Sequence, residues 1–121
     1  SFCPPASITQ PMMHVADEIE RSDRLRPVPS ELLPGRLAYL YDYVNWAHPF
    51  REGNGRSTRE FFALLLAERG QGLDWSRIDT QTLHSACHSA RADSDISGLA
   101  AMFTQIIDHE PAYDFDTDIM R

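Results

Sequence analysis

The chain has 121 residues, 42% of them hydrophobic, and this suits one compact domain with one core. A net charge of −7 without a broad basic face excludes a large nucleic-acid-binding surface. No apolar run reaches the roughly 18 residues that a membrane span requires. The two cysteines fit neither a disulfide framework nor a zinc pattern, so we expect free thiols in a reducing compartment.

The N-terminal part of the chain predicts an irregular segment followed by a helix. Residues 1–9 are expected to be extended or loop, because Pro4 and Pro5 disfavour helix in what precedes them. Pro11 suits the first turn of a helix. Apolar residues then recur at helical spacing as far as Ile19, where the sequence becomes charged and rich in proline.

The middle of the chain predicts two helices separated by a glycine-rich turn. Ser30 is the expected N-cap of a helix that continues toward Trp46. Residues 56–70, "RSTREFFALLLAERG", predict a third helix that ends at Gly70. Its broad apolar face predicts that neighbours cover it on most sides. The apolar face of the second helix consists of Leu33, Leu37, Leu40, Tyr41 and Val44.

The C-terminal part predicts two further helices, over residues 79–91 and 95–108. Trp75, in the loop before them, is expected to pack on the core. No alternating strand pattern occurs, so the predicted fold class is all-α. The predicted organisation is one core domain over residues 1–110 and an acidic tail over residues 111–121.

The glycine-rich turn before the third helix has the composition of an anion site. Gly53 and Gly55 remove the side chains that would keep a ligand away from the backbone. Successive amide groups there can form a concave nest, to which the helix adds the positive end of its dipole. Arg56 and Arg59 lie one turn apart and can reach the same anion, and Asn54 offers a neutral donor.

His48 and Glu52 supply the other groups that phosphoryl or nucleotidyl transfer needs. His48 can accept a proton from a hydroxyl that attacks phosphorus, and Pro49 fixes the backbone that presents it. Glu52 is the acid of the turn, and magnesium bound to a polyphosphate often takes only one or two carboxylates from the protein. A base, a metal ligand and a phosphate cradle therefore stand together in sequence order.

The segment "HPFREGNGRSTR", residues 48–59, resembles the signature of the Fic (filamentation induced by cAMP) domain family. That signature is His-Pro-Phe, an acid, Gly-Asn-Gly-Arg and a second arginine three residues on, and every defining position matches. The resemblance implies a helical bundle around a central helix that follows this loop. It also implies a protein adenylyltransferase (an AMPylation enzyme) that transfers AMP from Mg-ATP to a Tyr, Ser or Thr hydroxyl of a target protein.

The resemblance also implies a role for each residue of the signature. His48 is implied as the catalytic base and Glu52 as the ligand of Mg²⁺. Arg56 is implied at the α- and β-phosphates and Arg59 at the γ-phosphate. Gly55 favours AMP transfer, because the related Doc kinases carry lysine there and bind the nucleotide reversed. The full implied nucleotide-binding set is Phe50, which also anchors the loop, with Gly53, Asn54, Gly55, Arg56 and Arg59.

The opening "FCPPASI" resembles the end of the family's flap, a short β-hairpin that aligns the target segment by β-augmentation. By this resemblance Phe2, Pro4 and Pro5 take part in target docking. We therefore expect the chain to begin inside the flap, and the core over residues 1–110 to be N-terminally incomplete.

Partners and location are expectations from the same resemblance. Residues 71–79 resemble the bacterial toxin and effector branch. The inhibitory motif of many Fic proteins, [Ser/Thr]-x-x-x-Glu-[Gly/Asn], does not occur in this sequence. Three explanations stay open. The inhibitory helix lies outside this sequence, a separate antitoxin supplies it, or this branch of the family lacks it. We expect action in the bacterial cytoplasm or inside a host cell, with no nucleic-acid or membrane partner.

Several alternatives stay open at this point. A protein of the same fold can transfer UMP, phosphocholine or phosphate, or act as the toxin-type binding module of a larger effector or toxin–antitoxin complex. The plainest reading of the motif is a helix–helix turn with solvated arginines. His84 and His88 flank Cys87 on one predicted helix, but without a third ligand they are expected to be surface or half-buried residues.

Overall fold

A computed structural model describes residues 9–47 and 54–111, and this part of the chain is helical, as predicted. It has five α-helices, one 3₁₀ turn and two short strands. No helix within the described ranges combines the length and apolar character needed to cross a bilayer. The helices are α1 (Thr9–Arg21), α2 (Leu33–Ala47), α3 (Asn54–Ala67), α4 (Thr80–Ala92) and α5 (Ser97–Ile106); the 3₁₀ turn is Trp75–Arg77, and the strands are β1 (Gly72–Leu73) and β2 (Ile107–Asp108).

Helix α2 forms the centre of the described fold, because α1, α4 and α5 all pack against it. Its predicted apolar face is confirmed, since all five of its residues are buried. The helix begins at Leu33 rather than directly after Ser30, because residues 30–32 form a turn. In that turn the Leu33 N–H donates to the Ser30 carbonyl at 3.3 Å.

Helix α3 is less enclosed than its apolar run predicts. Phe62, Leu65 and Leu66 are buried, but Phe61 and Leu64 are 37% and 65% exposed. The prediction that neighbours cover α3 on most sides is therefore wrong for the part of the chain that the structure describes. A continuous apolar run is compatible with either a buried or a half-exposed helix, so periodicity alone could not decide this point.

The C-terminal end of α3 matches the prediction closely. Gly70 has a φ of +71°, in the left-handed region that glycine adopts without strain. The N–H of Gln71 donates to the Leu66 carbonyl at 3.0 Å, and that of Gly70 to the Ala67 carbonyl at 2.9 Å. These two bonds form a Schellman motif, which satisfies the last carbonyls of the helix.

The two C-terminal helices are confirmed, but the second is shorter than predicted. Helix α5 ends at Ile106, and Ile107 takes extended dihedrals (φ −64°, ψ 125°). Ile107 and Asp108 then pair antiparallel with Leu73 and Gly72 of β1. A two-residue strand is too short to show an alternating pattern, which explains why the sequence did not predict it. The predicted domain boundary at residue 110 stays a prediction, and residues 112–121 lie outside the described ranges.

Three consecutive residues with positive φ connect α1 to α2. Asp23, Arg24 and Leu25 have φ values of 52°, 58° and 65°, which cost roughly 1–2 kcal/mol per residue for non-glycine residues. The Arg69 guanidinium holds this turn by donating to the carbonyls of Leu25 and Arg26. Burial of the Leu25 side chain also opposes the cost. The connection between α1 and α2 is thereby tied to the residues that follow α3.

Candidate functional site

The described elements meet the glycine-rich loop from both sides. Helix α2 ends at Ala47, and α3 begins at Asn54, inside the Gly-Asn-Gly-Arg segment. The first turn of a helix carries N–H groups without intrahelical acceptors and a partial positive charge. The predicted order of a glycine-rich segment followed by a helix is confirmed, although α3 begins at Asn54 rather than at Arg56. An anion at this end of α3 stays a prediction.

The structure describes only some of the predicted site residues. Gly55 is half-buried in the first turn of α3, and Arg56 and Arg59 are exposed on the same helix, three residues apart. Of Asn54 the structure describes the position in the helix but not the side chain. The remaining predicted site residues lie outside the described residues: His48, Phe50, Glu52 and Gly53 of the loop, and Phe2, Pro4 and Pro5 of the flap.

Arg59 lies on an aromatic ring. Its guanidinium carbon is 5.1 Å from the centroid of Trp75, within the range of a cation–π contact. Trp75 is partly buried against the core, as predicted. Its ring centroid is 6.1 Å from those of Tyr41 and Phe103, which lie in α2 and α5. Sequence analysis predicted that Trp75 packs on the core, but it did not indicate that the ring contacts Arg59, an arginine of the signature.

Tyr41 is fully buried beneath this part of the surface. Burial raises the pKa of its hydroxyl above the ordinary value, nearby Cys87 raises it further, and the positive charge of Arg59 lowers it. The ring also packs on Phe62, with centroids 5.6 Å apart. The side chains of Tyr41 and Phe62 beneath Arg59 are therefore aromatic and neutral, and neither carries a negative charge that would repel a phosphate.

A buried ion pair fixes the last turns of α2. The Asp42 carboxylate is buried, and Arg91 of α4 binds both of its oxygens, with Nε–Oδ1 at 2.8 Å and Nη2 on Oδ2. The guanidinium carbon of Arg91 is also 5.3 Å from the ring centroid of Trp46. Trp46 directly precedes Ala47, where α2 ends and the loop that contains His48 begins. Sequence analysis missed this pair, although an aspartate inside the apolar run "LAYLYDYVNW" was a usable signal, because a buried charge needs a partner.

His14 is half-buried in an aromatic cluster that sequence analysis did not identify. Its Nε2 lies 2.6 Å from the Tyr39 hydroxyl, and its ring centroid is 4.7 Å from that of Tyr43. Burial and a hydrogen bond with Tyr43 raise the pKa of Tyr39 to about 12. The cluster joins α1 to α2 and does not contain a signature residue.

His84 and His88 follow the prediction that they are surface or half-buried residues. His84 and His88 are exposed on α4, and Cys87 between them is a buried free thiol. Within residues 9–47 and 54–111, no group of three or more His, Cys, Asp or Glu side chains is placed to hold a metal ion. His109 is exposed but bonds to Gln71, with Nδ1 and Nε2 2.8 Å apart.

A family model described as the Fic/DOC family matches residues 1–66 of the chain. The chain is 34% identical over 83 residues to the protein adenylyltransferase VbhT of Bartonella schoenbuchensis, covering 68% of this chain and 17% of that protein. It is 34% identical over 106 residues to a probable protein adenylyltransferase Fic of Salmonella typhimurium, covering 88% and 52%. The chain thus spans about half or less of the length of these relatives.

Among solved structures, the fold is similar to that of BepC, a VirB-translocated effector protein of Bartonella tribocorum, crystallised with bound AMPPNP. The TM-score is 0.83 at 23% sequence identity, and the superposition covers 91% of this chain and 52% of that one. This likeness confirms the predicted helical architecture.

Proposed function

The chain belongs to the Fic/DOC family, and we propose that it transfers AMP from ATP to a hydroxyl group of a target protein. One observation carries the proposal: helix α3 starts within the Gly-Asn-Gly-Arg segment and exposes Arg56 and Arg59 beside its positive end. The names of the two relatives, one a protein adenylyltransferase and the other a probable protein adenylyltransferase, support it, as does the AMPPNP bound to BepC. The site's composition suits a polyphosphate held at a helix N-terminus.

The proposed reaction exchanges one phosphorus–oxygen bond for another. His48 accepts the proton of the target hydroxyl as its oxygen attacks the α-phosphorus of ATP. The bond from the α-phosphorus to the bridging oxygen breaks, and pyrophosphate leaves with the electron pair. The products are a phosphodiester on the target side chain and pyrophosphate. Arg56, with the amide groups at the start of α3, stabilises charge on the α- and β-phosphates, and Arg59 binds the γ-phosphate.

Magnesium fits this donor set as a partner of the nucleotide. The described residues offer no cage of three protein ligands, and magnesium at a nucleotide site typically takes one or two carboxylates together with phosphate oxygens. Glu52, the acid of the loop, would hold it. The ion would neutralise charge on the phosphates and orient them against the positive end of α3.

The partners proposed here are a target protein with a Tyr, Ser or Thr hydroxyl and an inhibitory helix or antitoxin that blocks the nucleotide site. For location, BepC is a translocated effector. Action in a host cell and action in the bacterial cytoplasm both stay predictions.

Incubation of the protein with a bacterial or host lysate and labelled ATP tests the reaction. Label in the α-position should appear on protein, and label in the γ-position should not. His48→Ala should abolish transfer, and His84→Ala, which changes an exposed histidine on α4, should retain it. Transfer of γ-label would instead indicate a kinase, and α-labelled UTP or labelled CDP-choline would reveal transfer of UMP or phosphocholine. Full transfer by His48→Ala would contradict the assignment of the base.

A further inference from the structure

We infer that Trp75 is a positioning residue for Arg59 and thereby sets the preference of the site for a nucleoside triphosphate over a diphosphate. This inference rests on the proposed function, because it takes Arg59 as the residue that contacts the γ-phosphate. Trp75 lies outside the signature, 16 residues after Arg59 in the sequence. The structure brings the two side chains together.

The contact leaves Arg59 able to bind a phosphate. The guanidinium lies over the Trp75 ring, 5.1 Å from its centroid. A cation–π contact depends on the positive charge of the guanidinium and does not require any of its five N–H donors. The side chain is also exposed, so the ring supports the guanidinium without enclosing it.

The Trp75 ring is a fixed support because the turn that carries it is fastened on both sides to α5. Before the ring, the Asp74 N–H donates to the Ile106 carbonyl at 2.8 Å. After it, Gln105 Nε2 donates to the Arg77 carbonyl at 2.8 Å. The indole itself packs on Tyr41 and Phe103. The ring therefore keeps its place while the more exposed Arg59 adapts to the ligand.

A fixed support matters because arginine is one of the side chains that lose most rotamer freedom when they bind. An Arg59 already held over Trp75 loses less of this freedom when it engages a phosphate, so its contact contributes more to affinity. Only the triphosphate places a phosphate within reach of Arg59 in the proposed mode of binding. Removal of the ring should therefore weaken ATP binding and leave ADP binding nearly unchanged.

Calorimetric titration with Mg-ATP and Mg-ADP tests this inference. Trp75→Leu should reduce the ratio of ATP to ADP affinity by about 2- to 5-fold, the range expected for an exposed cation–π contact. Trp75→Phe, which keeps a ring face, should retain most of the ratio. In a double-mutant cycle, Trp75→Leu should have no further effect on the ratio once Arg59 is replaced by Ala.

Ile78→Ala is the matched control, because Ile78 follows the same turn and is partly buried against the core. It should lower the melting temperature without changing the ATP to ADP ratio. An unchanged or increased ratio in Trp75→Leu, or an equal loss of affinity for both nucleotides, would overturn the inference and leave the proposed function standing. If the unsubstituted protein bound ATP no better than ADP, the assignment of Arg59 would fail, and the inference with it.

Discussion

Replacement of Arg91 by Met should destabilise the protein strongly, because it leaves a buried aspartate without its partner. The Asp42 side chain is 8% exposed and that of Arg91 30%. Removing one member of a buried ion pair costs about 3–5 kcal/mol. The partial exposure of Arg91 admits some water to the site, so we expect the lower end, about 3 kcal/mol. For a domain of this size that loss lowers the melting temperature by roughly 10 °C.

Urea titration followed by tryptophan fluorescence measures this change as a free energy of unfolding. Arg21→Met is the control, because the Arg21–Asp17 pair is 72% and 50% exposed and should contribute less than about 1 kcal/mol. The double variant Asp42→Leu, Arg91→Met removes both charges and should recover most of the loss. A single Arg91 variant within about 1 kcal/mol of the unsubstituted protein, or a double variant no more stable than the single one, would refute the reasoning.

Three further predictions, which use four substitutions, test other parts of the fold by the same titration. Leu65→Ala should cost about 2–5 kcal/mol and Leu64→Ala less than about 0.5, because Leu65 is buried and its neighbour is exposed; equal losses would contradict the description of α3. Gly70→Ala should cost about 1–2 kcal/mol from its positive φ alone, because nothing lies within 4 Å of an added Cβ. A variant as stable as the unsubstituted protein would contradict the left-handed conformation of Gly70 at the end of α3. Burial, with a contribution from Asp42, raises the pKa of Cys87 to about 11 from an ordinary value near 9. The unfolded chain therefore releases this proton first. The contribution of the buried, neutral Cys87 thiol to the free energy of unfolding is complete below pH 9. This free energy falls by on the order of 1 kcal/mol as the pH rises to 11. Cys87→Ala should remove this decrease in the free energy of unfolding. An unchanged decrease between pH 9 and pH 11 in the variant would refute the prediction.

The helices could be predicted because their evidence is local. Apolar residues at helical spacing identify α2, and a glycine after such a run identifies the end of α3. The signature in residues 48–59 is equally local, since its residues follow one another within twelve positions of the chain. Features of this kind need no knowledge of which elements meet in space.

Several features that sequence analysis missed depend on partners far away in the chain. Asp42 and Arg91 are 49 residues apart, and His14 and Tyr39 are 25 apart. A single sequence shows that a charge or a histidine lies in an apolar run, but many residues could be its partner. The exposure of Leu64 was missed for the same reason, because it depends on whether another element covers that face of α3.

An arginine–tryptophan contact lies on each side of the loop that carries the signature. The residue next to the loop is the tryptophan in one contact and the arginine in the other. At the end of α2, the ring of Trp46 belongs to the segment that leads into the loop, and Arg91 of α4 holds it. In α3, the arginine belongs to the site, and Trp75 supports it from the 3₁₀ turn. Arg91 is also the partner of a buried charge, so its loss acts first on stability. Trp75 meets an exposed arginine, so its contact with Arg59 should act on the nucleotide, whereas its packing on Tyr41 and Phe103 contributes to the fold. Stability and nucleotide preference are therefore expected to respond to different substitutions on the two sides of one loop.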